Sequence, residues 1–206
     1  TVIDALLQVV KKLESEEGLE EEIRTIVSDA GYKIAEKRFV LITGHRRENF
    51  GQGFQNICKA IKTLAHTFPE VDFVYPVHLN PNVRRPVGEI LHGLSNVFLI
   101  EPLEYLPFVF AMSQCHLILS DSGGVQEEAP SLGKPVLVMR DTTERPEAVA
   151  AGTVKLVGTA LDSIVSNVSH LLENTEDYKI MTKAHNPYGD GTSCEQIVKF
   201  IVEKLK

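Results

Sequence analysis

Backbone amides and carboxylates lie unusually close together in the segment LSDSGGVQEEAP, residues 119–130. Asp121 or Ser122 can cap a helix that begins at the glycines, so that Ser122, Gly123 and Gly124 present free backbone N–H groups. Such groups bind anions, phosphate above all. The spacing is not G-x-G-x-x-G, and no G-x-x-x-x-G-K-[ST] occurs in the chain. The segment therefore predicts a phosphate site that is neither a dinucleotide fingerprint nor a P-loop.

Two acidic residues follow within the same helix. The helix dipole favours acids near the amino end, so Glu127 and Glu128 can be capping acids, and for Glu127 this is the best interpretation. Glu128 lies four residues after Gly124, on the same helix face and one turn deeper. A carboxylate there could accept hydrogen bonds from both vicinal hydroxyls of a ribose while a diphosphate stays at the amide end. The spacing indicates a ligand with phosphate and ribose groups.

Two further segments combine histidine with arginine. TGHRRENFGQGF places His45, Arg46 and Arg47 before a helix, where cations beside helix-start amides favour an anion. HLNPNVRRP places His78 at the end of another apolar run, with Asn80 as a helix cap. A lone histidine is more often a structural hydrogen-bonding group. The case for a functional His45 rests on its neighbouring glycine and arginines, and His78 stays an open candidate.

Leu103, Phe108 and Arg145 are less specific candidates. EPLEYLPF places the first two in an apolar turn, where a phenylalanine is a core residue by default, although an exposed ring could stack on a flat base. Arg145 precedes Pro146, which suits the first position of a helix, but it is equally well a surface arginine. No nucleophile–base pair, zinc spacing or G-x-S-x-G elbow is present. The residues alone predict a phosphate- and ribose-binding domain and no particular reaction.

Strands and helices alternate along the chain and would position these residues. Continuous apolar runs predict strands at 38–45, 71–78, 96–102, 115–121, 134–140 and 153–158. Helical spacing predicts helices at 53–67, 82–93, 104–113, 123–132, 160–173 and 190–205, and an acidic helix pair surrounds Gly18. The alternation predicts an α/β fold, a Rossmann-like doubly wound parallel sheet of about six strands in a three-layer αβα arrangement. Ligands of such sheets bind outside the carboxyl ends of the strands.

Length and composition narrow the functional class. The 206 residues suffice for one α/β core or for two small ones, and the net charge of −7 argues against nucleic acid as a partner. Cys58, Cys115 and Cys194 are far apart and odd in number, which argues against a disulfide framework or a zinc site and indicates a reducing cytoplasm. No apolar run approaches the roughly 20 residues of a membrane span. Thr1 in place of an initiating Met suggests a piece of a longer chain.

Four long motifs carry a resemblance to a known family: TGHRREN, YPVHLNPNV, LSDSGGVQEEAPSLGKPVLVMRDTTERPEAV and AHNPYGDG. From Thr1 to its end, the chain resembles the bacterial non-hydrolysing UDP-N-acetylglucosamine (UDP-GlcNAc) 2-epimerases. The resemblance implies one half of a glycosyltransferase-B fold, in which two Rossmann-like domains enclose the active site. It implies a connecting helical segment at 1–36 and a UDP-binding domain at 37–206. The helix at 190–205 would cross to an N-terminal domain that this chain lacks.

The resemblance also implies roles for individual residues. Phe108 would stack on uracil, with the backbone near Leu103 pairing the edge of the base. Ser122, Gly123 and Gly124 would hold the diphosphate, Glu128 the ribose hydroxyls, and Arg145 would lie near the nucleotide. His45 would be a catalytic residue that contacts phosphate near the reacting sugar. Arg46 and His78 match positions that contact a second, regulatory UDP-GlcNAc molecule. No metal or cofactor is implied.

The reaction that the resemblance implies is the interconversion of UDP-GlcNAc and UDP-N-acetylmannosamine (UDP-ManNAc) at C2 of the sugar, by elimination and re-addition of UDP. The acidic proton-transfer residues belong to the other domain, so this chain alone is expected to bind UDP weakly and not to epimerise. The full-length protein is expected to be a cytoplasmic homodimer that serves surface-polysaccharide synthesis, with no membrane contact. Two alternatives stay open: a glycosyltransferase of the same architecture and a non-catalytic nucleotide-binding module.

Overall fold

A computed structural model describes residues 1–205, which form six strands and ten α-helices. The strands are β1 (Phe39–Thr43), β2 (Asp72–Pro76), β3 (Val97–Ile100), β4 (Leu117–Ser120), β5 (Val136–Val138) and β6 (Val154–Leu156). The helices are α1 (Val2–Ser15), α2 (Leu19–Asp29), α3 (Gln52–Thr67), α4 (Pro81–Leu91), α5 (Tyr105–Gln114), α6 (Gly123–Glu128), α7 (Pro146–Ala150), α8 (Leu161–Glu173), α9 (Thr175–Lys183) and α10 (Ser193–Lys204).

The six strands form a single all-parallel sheet in the order β3-β2-β1-β4-β5-β6. Every strand falls within a run predicted from the sequence, and the order is that of a doubly wound Rossmann-like sheet. The order reverses between β1 and β4. The predicted fold class is confirmed.

Helices cover both faces of the sheet because successive strand residues point to opposite sides. Val40 and Ile42 of β1 pack with α3, α4 and α8 in one buried layer. Phe39 and Leu41 of the same strand pack on the other side, with α1, α2 and α5. Both sets of side chains are almost fully buried. The result is the predicted three-layer αβα arrangement.

The first 36 residues pack on this core. Leu6 of α1 and Ile23 and Val27 of α2 are buried in the same layer as α5. Gly18 separates the two helices with a φ of 81°, a backbone conformation that favours glycine, as an acidic helix pair around this residue requires. The segment therefore contributes to the hydrophobic core, and a domain boundary at residue 37 stays a prediction.

Two helices differ from their predicted bounds by more than two residues, and one helix was not predicted. The helix expected at 123–132 ends at Glu128 and continues as a short 3-10 helix, because Pro130 has no N–H group to donate. Helix α10 begins at Ser193, since Gly191 has a φ of 86°. Helix α9 was not predicted, although Asn174 caps it by accepting hydrogen bonds from the N–H groups of the next turn.

Candidate functional site

The candidate site lies at the carboxyl ends of β1 and β4, where the strand order reverses. Thr43 is opposite Ser120 in the last register position of this pair, and their hydroxyl oxygens are 2.6 Å apart. In open α/β sheets, the loops that leave two such strands diverge to opposite faces and a crevice forms between them. Here the two loops begin at Gly44 and Asp121.

A cleft of about 290 Å³ opens at this point. Seven of the ten site residues predicted from the sequence line it, namely His45, His78, Leu103, Phe108, Ser122, Gly124 and Glu128. Tyr105, which the sequence did not single out, lies in the same wall. Gly123, Arg46 and Arg145 lie outside the lining. The fold thus brings most of the predicted residues to one cleft, and their individual roles stay predictions.

A cation lies beside the amide end of α6. Ser122 is the N-cap residue of this helix, and its N–H donates to Ser120 Oγ at 2.9 Å. A Cβ added to Gly123 would lie 3.5 Å from Nη2 of Arg46, so the guanidinium approaches the first turn of the helix. The first N–H groups of a helix have no intrahelical partner. Cation and amides together favour an anion at this place.

Glu128 is the acid of the cleft and is only 7% exposed. The hydroxyl of Tyr105 donates to its Oε1 at 2.7 Å. Burial raises the pKa of Glu128, the hydrogen bond from Tyr105 opposes that shift, and the nearby charge of Glu127 adds to it. Because a carboxylate oxygen accepts more than one hydrogen bond, the bond from Tyr105 leaves capacity for hydroxyl donors of a ligand.

Glu127 forms an ion pair and does not cap the helix. Its carboxylate accepts a hydrogen bond from Nε of Arg145 and raises the pKa of that guanidinium. The side-chain amide of Asn186 donates to the backbone carbonyl of Glu127 at 2.9 Å and to Ser131 Oγ at 2.6 Å. Arg145 therefore lies beside the residue that precedes Glu128, and the AHNPYGDG segment is fixed against α6.

A buried aspartate holds the turn that carries His45. Asp121 is fully buried, and its Oδ2 accepts the backbone N–H groups of His45 at 2.9 Å and Arg46 at 2.8 Å. Nδ2 of Asn49 donates to the same oxygen at 3.2 Å. The ring of His45 stacks on that of His78, with centroids 5.2 Å apart and planes 10° from parallel. The predicted catalytic histidine and one predicted regulatory residue are thus in contact.

Arg140 joins the loop after β1 to the loop after β5. It is 5% exposed, and it donates to Glu48 at 2.5 Å and to the two oxygens of Glu144 at 2.6 and 2.9 Å. The hydrogen bonds from Arg140 are the main cause that lowers the pKa of Glu144 to about 2. Glu144 also lies 3.9 Å from Arg46. The cluster fixes one side of the loop on which Arg46 lies.

Sequence reasoning missed Tyr105, Asn49 and Arg140, and it considered Asp121 only as a helix cap. Each acts through a partner at least four positions away, and most partners are on other elements. The one local signal was the place of Asp121 immediately after an apolar run. Strand ends of this kind are where polar residues gather in a doubly wound sheet.

Across residues 1–205, no helix is long and apolar enough to cross a membrane. In the same part of the chain, no three His, Cys, Asp or Glu side chains are grouped as ligands for a metal ion. The groups that the cleft offers to a ligand are backbone amides, imidazole rings, a carboxylate and an aromatic face.

Comparisons with known proteins identify the family of the chain. A sequence model of the family described as UDP-N-acetylglucosamine 2-epimerase matches residues 1–202. The UDP-N-acetylglucosamine 2-epimerase of Escherichia coli strain K12 is 56% identical over 199 residues, which cover 97% of this chain and 52% of that protein. The chain thus spans about half the length of the curated relatives it matches. A crystal structure of the Neisseria meningitidis UDP-GlcNAc 2-epimerase bound to UDP-GlcNAc is 51% identical, with a TM-score of 0.92, covering 98% of this chain and 54% of that one.

A more distant structure bears on the architecture alone. The C-terminal domain of a glycosyl transferase group 1 family protein from Francisella tularensis matches with a TM-score of 0.57 at 13% identity, covering 85% of this chain and 91% of that one. At that identity the likeness extends to the fold and not to the reaction. The family match and the identities decide the affiliation: the chain belongs to the UDP-N-acetylglucosamine 2-epimerase family.

Proposed function

We propose that the chain is the UDP-binding, C-terminal half of an enzyme that interconverts UDP-GlcNAc and UDP-ManNAc at C2. The observation that carries the proposal is the convergence of seven predicted site residues in one cleft at the switch point of the sheet. The family affiliation and a relative whose structure is described as bound to UDP-GlcNAc support the same assignment. UDP-GlcNAc is the proposed substrate.

The proposed pose of UDP follows the length of the cleft. The uracil ring stacks on Phe108 and pairs with the backbone near Leu103, both of which line the apolar wall. Glu128 accepts the ribose hydroxyls. The diphosphate lies at the amides of residues 122–124, with Arg46 close by. Arg145 approaches the nucleotide from its ion pair with Glu127.

In the proposed reaction, UDP leaves C1 as the proton at C2 is removed, and the two are added back with the opposite configuration at C2. Negative charge then increases on the departing diphosphate. Groups that are already oriented toward that charge stabilise the transition state more than the bound substrate. His45, Arg46 and the amides of α6 have this role. The base and acid at C2 are residues of the other half of the enzyme.

A second proposed ligand is a regulatory UDP-GlcNAc molecule that contacts Arg46 and His78. The ring of His78 stacks on that of His45. A molecule bound at His78 therefore lies next to the proposed catalytic histidine. It could change the position of that histidine, which is proposed to contact the reacting phosphate.

Helix α10 is the proposed link to the other half. No residue of this helix is buried, and its exposed apolar side chains are Ile197, Val198, Phe200, Ile201 and Val202. Such a surface favours contact with another domain. Its start is fixed to α1, since the N–H of Cys194 donates to Asp4 Oδ1 at 2.6 Å. We also propose that the full-length protein is a homodimer and that it is located in the cytoplasm, where its free thiols stay reduced.

Product analysis tests the proposal. Full-length enzyme and UDP-GlcNAc are incubated without any acceptor, and the nucleotide sugars are separated. UDP-ManNAc is expected. Free N-acetylmannosamine would indicate a hydrolysing enzyme, and turnover only on addition of a sugar acceptor would indicate a glycosyltransferase. The motifs TGHRRE and RDTTERPEA favour the epimerase over the glycosyltransferase.

The 206-residue chain supplies the matching binding test. It is expected to show no turnover, and millimolar UDP is expected to raise its Tm because a ligand that binds the folded state stabilises it. An unchanged Tm would contradict nucleotide binding by this half.

A further inference from the structure

The two carboxylate oxygens of Asp121 have different surroundings. Oδ2 accepts three hydrogen bonds, from the backbone N–H groups of His45 and Arg46 and from Nδ2 of Asn49. Oδ1 is buried and accepts none. A buried charged oxygen without a partner is costly and uncommon in native structures. This oxygen of Asp121 lies beside His45, a residue that lines the cleft, and is therefore available to act on it.

The imidazole of His45 faces this unpaired oxygen. Nδ1 of His45 lies 3.8 Å from Oδ1 of Asp121. That distance is too long for a hydrogen bond but within the range of an ion pair. The side chain of His45 is 44% exposed and lines the cleft, whereas Asp121 is fully buried. One carboxylate thus holds the backbone of the histidine through one oxygen and faces its ring with the other.

We propose that Asp121 is a positioning residue for His45, an inference that rests on the proposed function. Its Oδ1 stabilises a proton on Nδ1, so that the ring carries a second proton on Nε2 when the diphosphate binds. The imidazolium then lies between two anions and donates a hydrogen bond to the departing phosphate. A carboxylate that orients and stabilises an imidazolium in this manner acts through the histidine and touches no substrate.

Asp121→Asn separates the two tasks of the aspartate. Three N–H donors surround the position of Oδ2, so the amide oxygen of the asparagine must take that position. The NH₂ group then takes the position of Oδ1 and faces Nδ1 of His45. The backbone turn is kept, while Nδ1 is forced to become an acceptor and the ring loses its second proton.

The test uses the full-length protein with histidine labelled by ¹⁵N. With UDP bound, both ring nitrogens of His45 are expected to be protonated in the wild type, and only Nε2 in Asp121→Asn. For UDP-GlcNAc, kcat is expected to fall at least about tenfold, with KM within about threefold of the wild type, because the lost charge acts mainly on the departing phosphate.

Asp72→Asn is the matched control. Asp72 is also buried, but it lies at the opposite edge of the sheet, and its replacement is expected to leave kcat and the protonation of His45 unchanged. An unchanged kcat in Asp121→Asn would overturn the inference. So would a fall in kcat and UDP affinity together while both nitrogens stay protonated, since that is the behaviour of a purely structural residue.

If Asp121→Asn fails to fold, the wild-type protein still tests the inference. A singly protonated His45 in the wild-type complex with UDP would overturn the inference by itself. Absence of turnover in the wild type would overturn the proposed function and the inference with it, whereas normal turnover with an unchanged kcat in Asp121→Asn would overturn the inference alone.

Discussion

Two buried aspartates differ in how their carboxylate oxygens are used. One lies at the amino ends of the strands, called here the amino edge of the sheet, and the other lies at the carboxyl ends, called the carboxyl edge. Asp72 begins β2, and both of its oxygens are engaged, one by the hydroxyl of Tyr32 and the other by the ammonium of Lys37. Asp121 follows β4, and one of its oxygens has no hydrogen-bond partner. Both residues are at most 6% exposed. The amino edge of the sheet satisfies its buried polar groups, and the carboxyl edge leaves one free beside the cleft.

The same contrast extends to neighbouring residues. At the amino edge, Nδ2 of Asn96 donates to three backbone carbonyls, and the ring of His116 stacks on that of Tyr178 with centroids 4.2 Å apart. At the carboxyl edge, His45 and Glu128 line an open cleft. At the amino edge the polar side chains pair with other groups of the protein, whereas at the carboxyl edge His45 and Glu128 are presented to the cleft in which a ligand is proposed to bind. Substitutions at the amino edge should therefore lower stability and leave UDP binding unchanged, whereas substitutions at the carboxyl edge should change UDP binding.

The largest expected effect is a loss of conformational stability at low pH that originates at the amino edge. Burial, with the charges of Arg38 and Lys134, lowers the pKa of His116 to about 4 from its ordinary value of 6.5. As the pH falls, His116 takes up a proton at a higher pH in the unfolded chain than in the folded protein. Its contribution to the free energy of unfolding is therefore present above pH 6.5 and is lost as the pH falls toward 4. The loss amounts to at most about 3 kcal/mol.

His116→Phe keeps an aromatic ring against Tyr178 and removes the titrating group. Urea unfolding at pH 7 and pH 4 should show a smaller acid-induced loss of free energy of unfolding in this variant than in the wild type. Equal losses in the two proteins would show that His116 is not the source. An effect on UDP binding at pH 7 would break the division between the two edges.

Asp72→Asn is expected to lower the free energy of unfolding by about 2 kcal/mol, which corresponds to a Tm lower by roughly 6 °C. The reason is that Tyr32 and Lys37 lose a charged partner in a buried place. Thermal unfolding with and without UDP is the measurement. The shift of Tm that UDP induces should be the same as in the wild type, and a smaller shift would contradict the separation of roles.

At the carboxyl edge, Glu128→Gln is expected to weaken UDP binding about tenfold, because hydroxyls donate more weakly to an amide than to a carboxylate. Inorganic pyrophosphate, which has no ribose, should lose little affinity. Calorimetric titration with both ligands measures the difference. Equal losses for the two ligands would contradict the role of Glu128 at the ribose.

The same substitution should raise stability at neutral pH. Burial raises the pKa of Glu128 above 4.5, so the contribution of this group to stability is present below pH 4.5 and is lost as the pH rises. The Tm of Glu128→Gln should therefore exceed that of the wild type at pH 7, and the two should converge toward pH 4. A group that lowers stability is typical of a place where a ligand is proposed to bind.

The sequence predicted the strands and the cleft but not the pairings within the cleft. Continuous apolar runs identify buried parallel strands, and residues after strand ends must gather at one edge, which is why Ser122 and Glu128 could be expected at the same cleft. The contact of Asp121 with His45 joins positions 76 apart. The ion pair of Arg145 with Glu127 joins positions 18 apart. Such partners depend on loop conformation, which local propensity does not determine.

The smallest expected effect compares two tyrosines that each donate to a buried carboxylate. Tyr105 donates to Glu128 at 2.7 Å at the carboxyl edge, and Tyr32 donates to Asp72 at 3.2 Å at the amino edge. Tyr105→Phe removes the bond that orients Glu128 and is expected to weaken UDP binding about threefold. Tyr32→Phe removes the equivalent hydroxyl and should lower only the Tm.

A double-mutant cycle completes this test. In a Glu128→Ala background, Tyr105→Phe should cause no further loss of UDP affinity, because the hydroxyl acts only through the carboxylate. A full threefold loss in that background would mean that Tyr105 contacts the nucleotide directly. A loss of UDP affinity in Tyr32→Phe would mean that the two edges of the sheet are coupled.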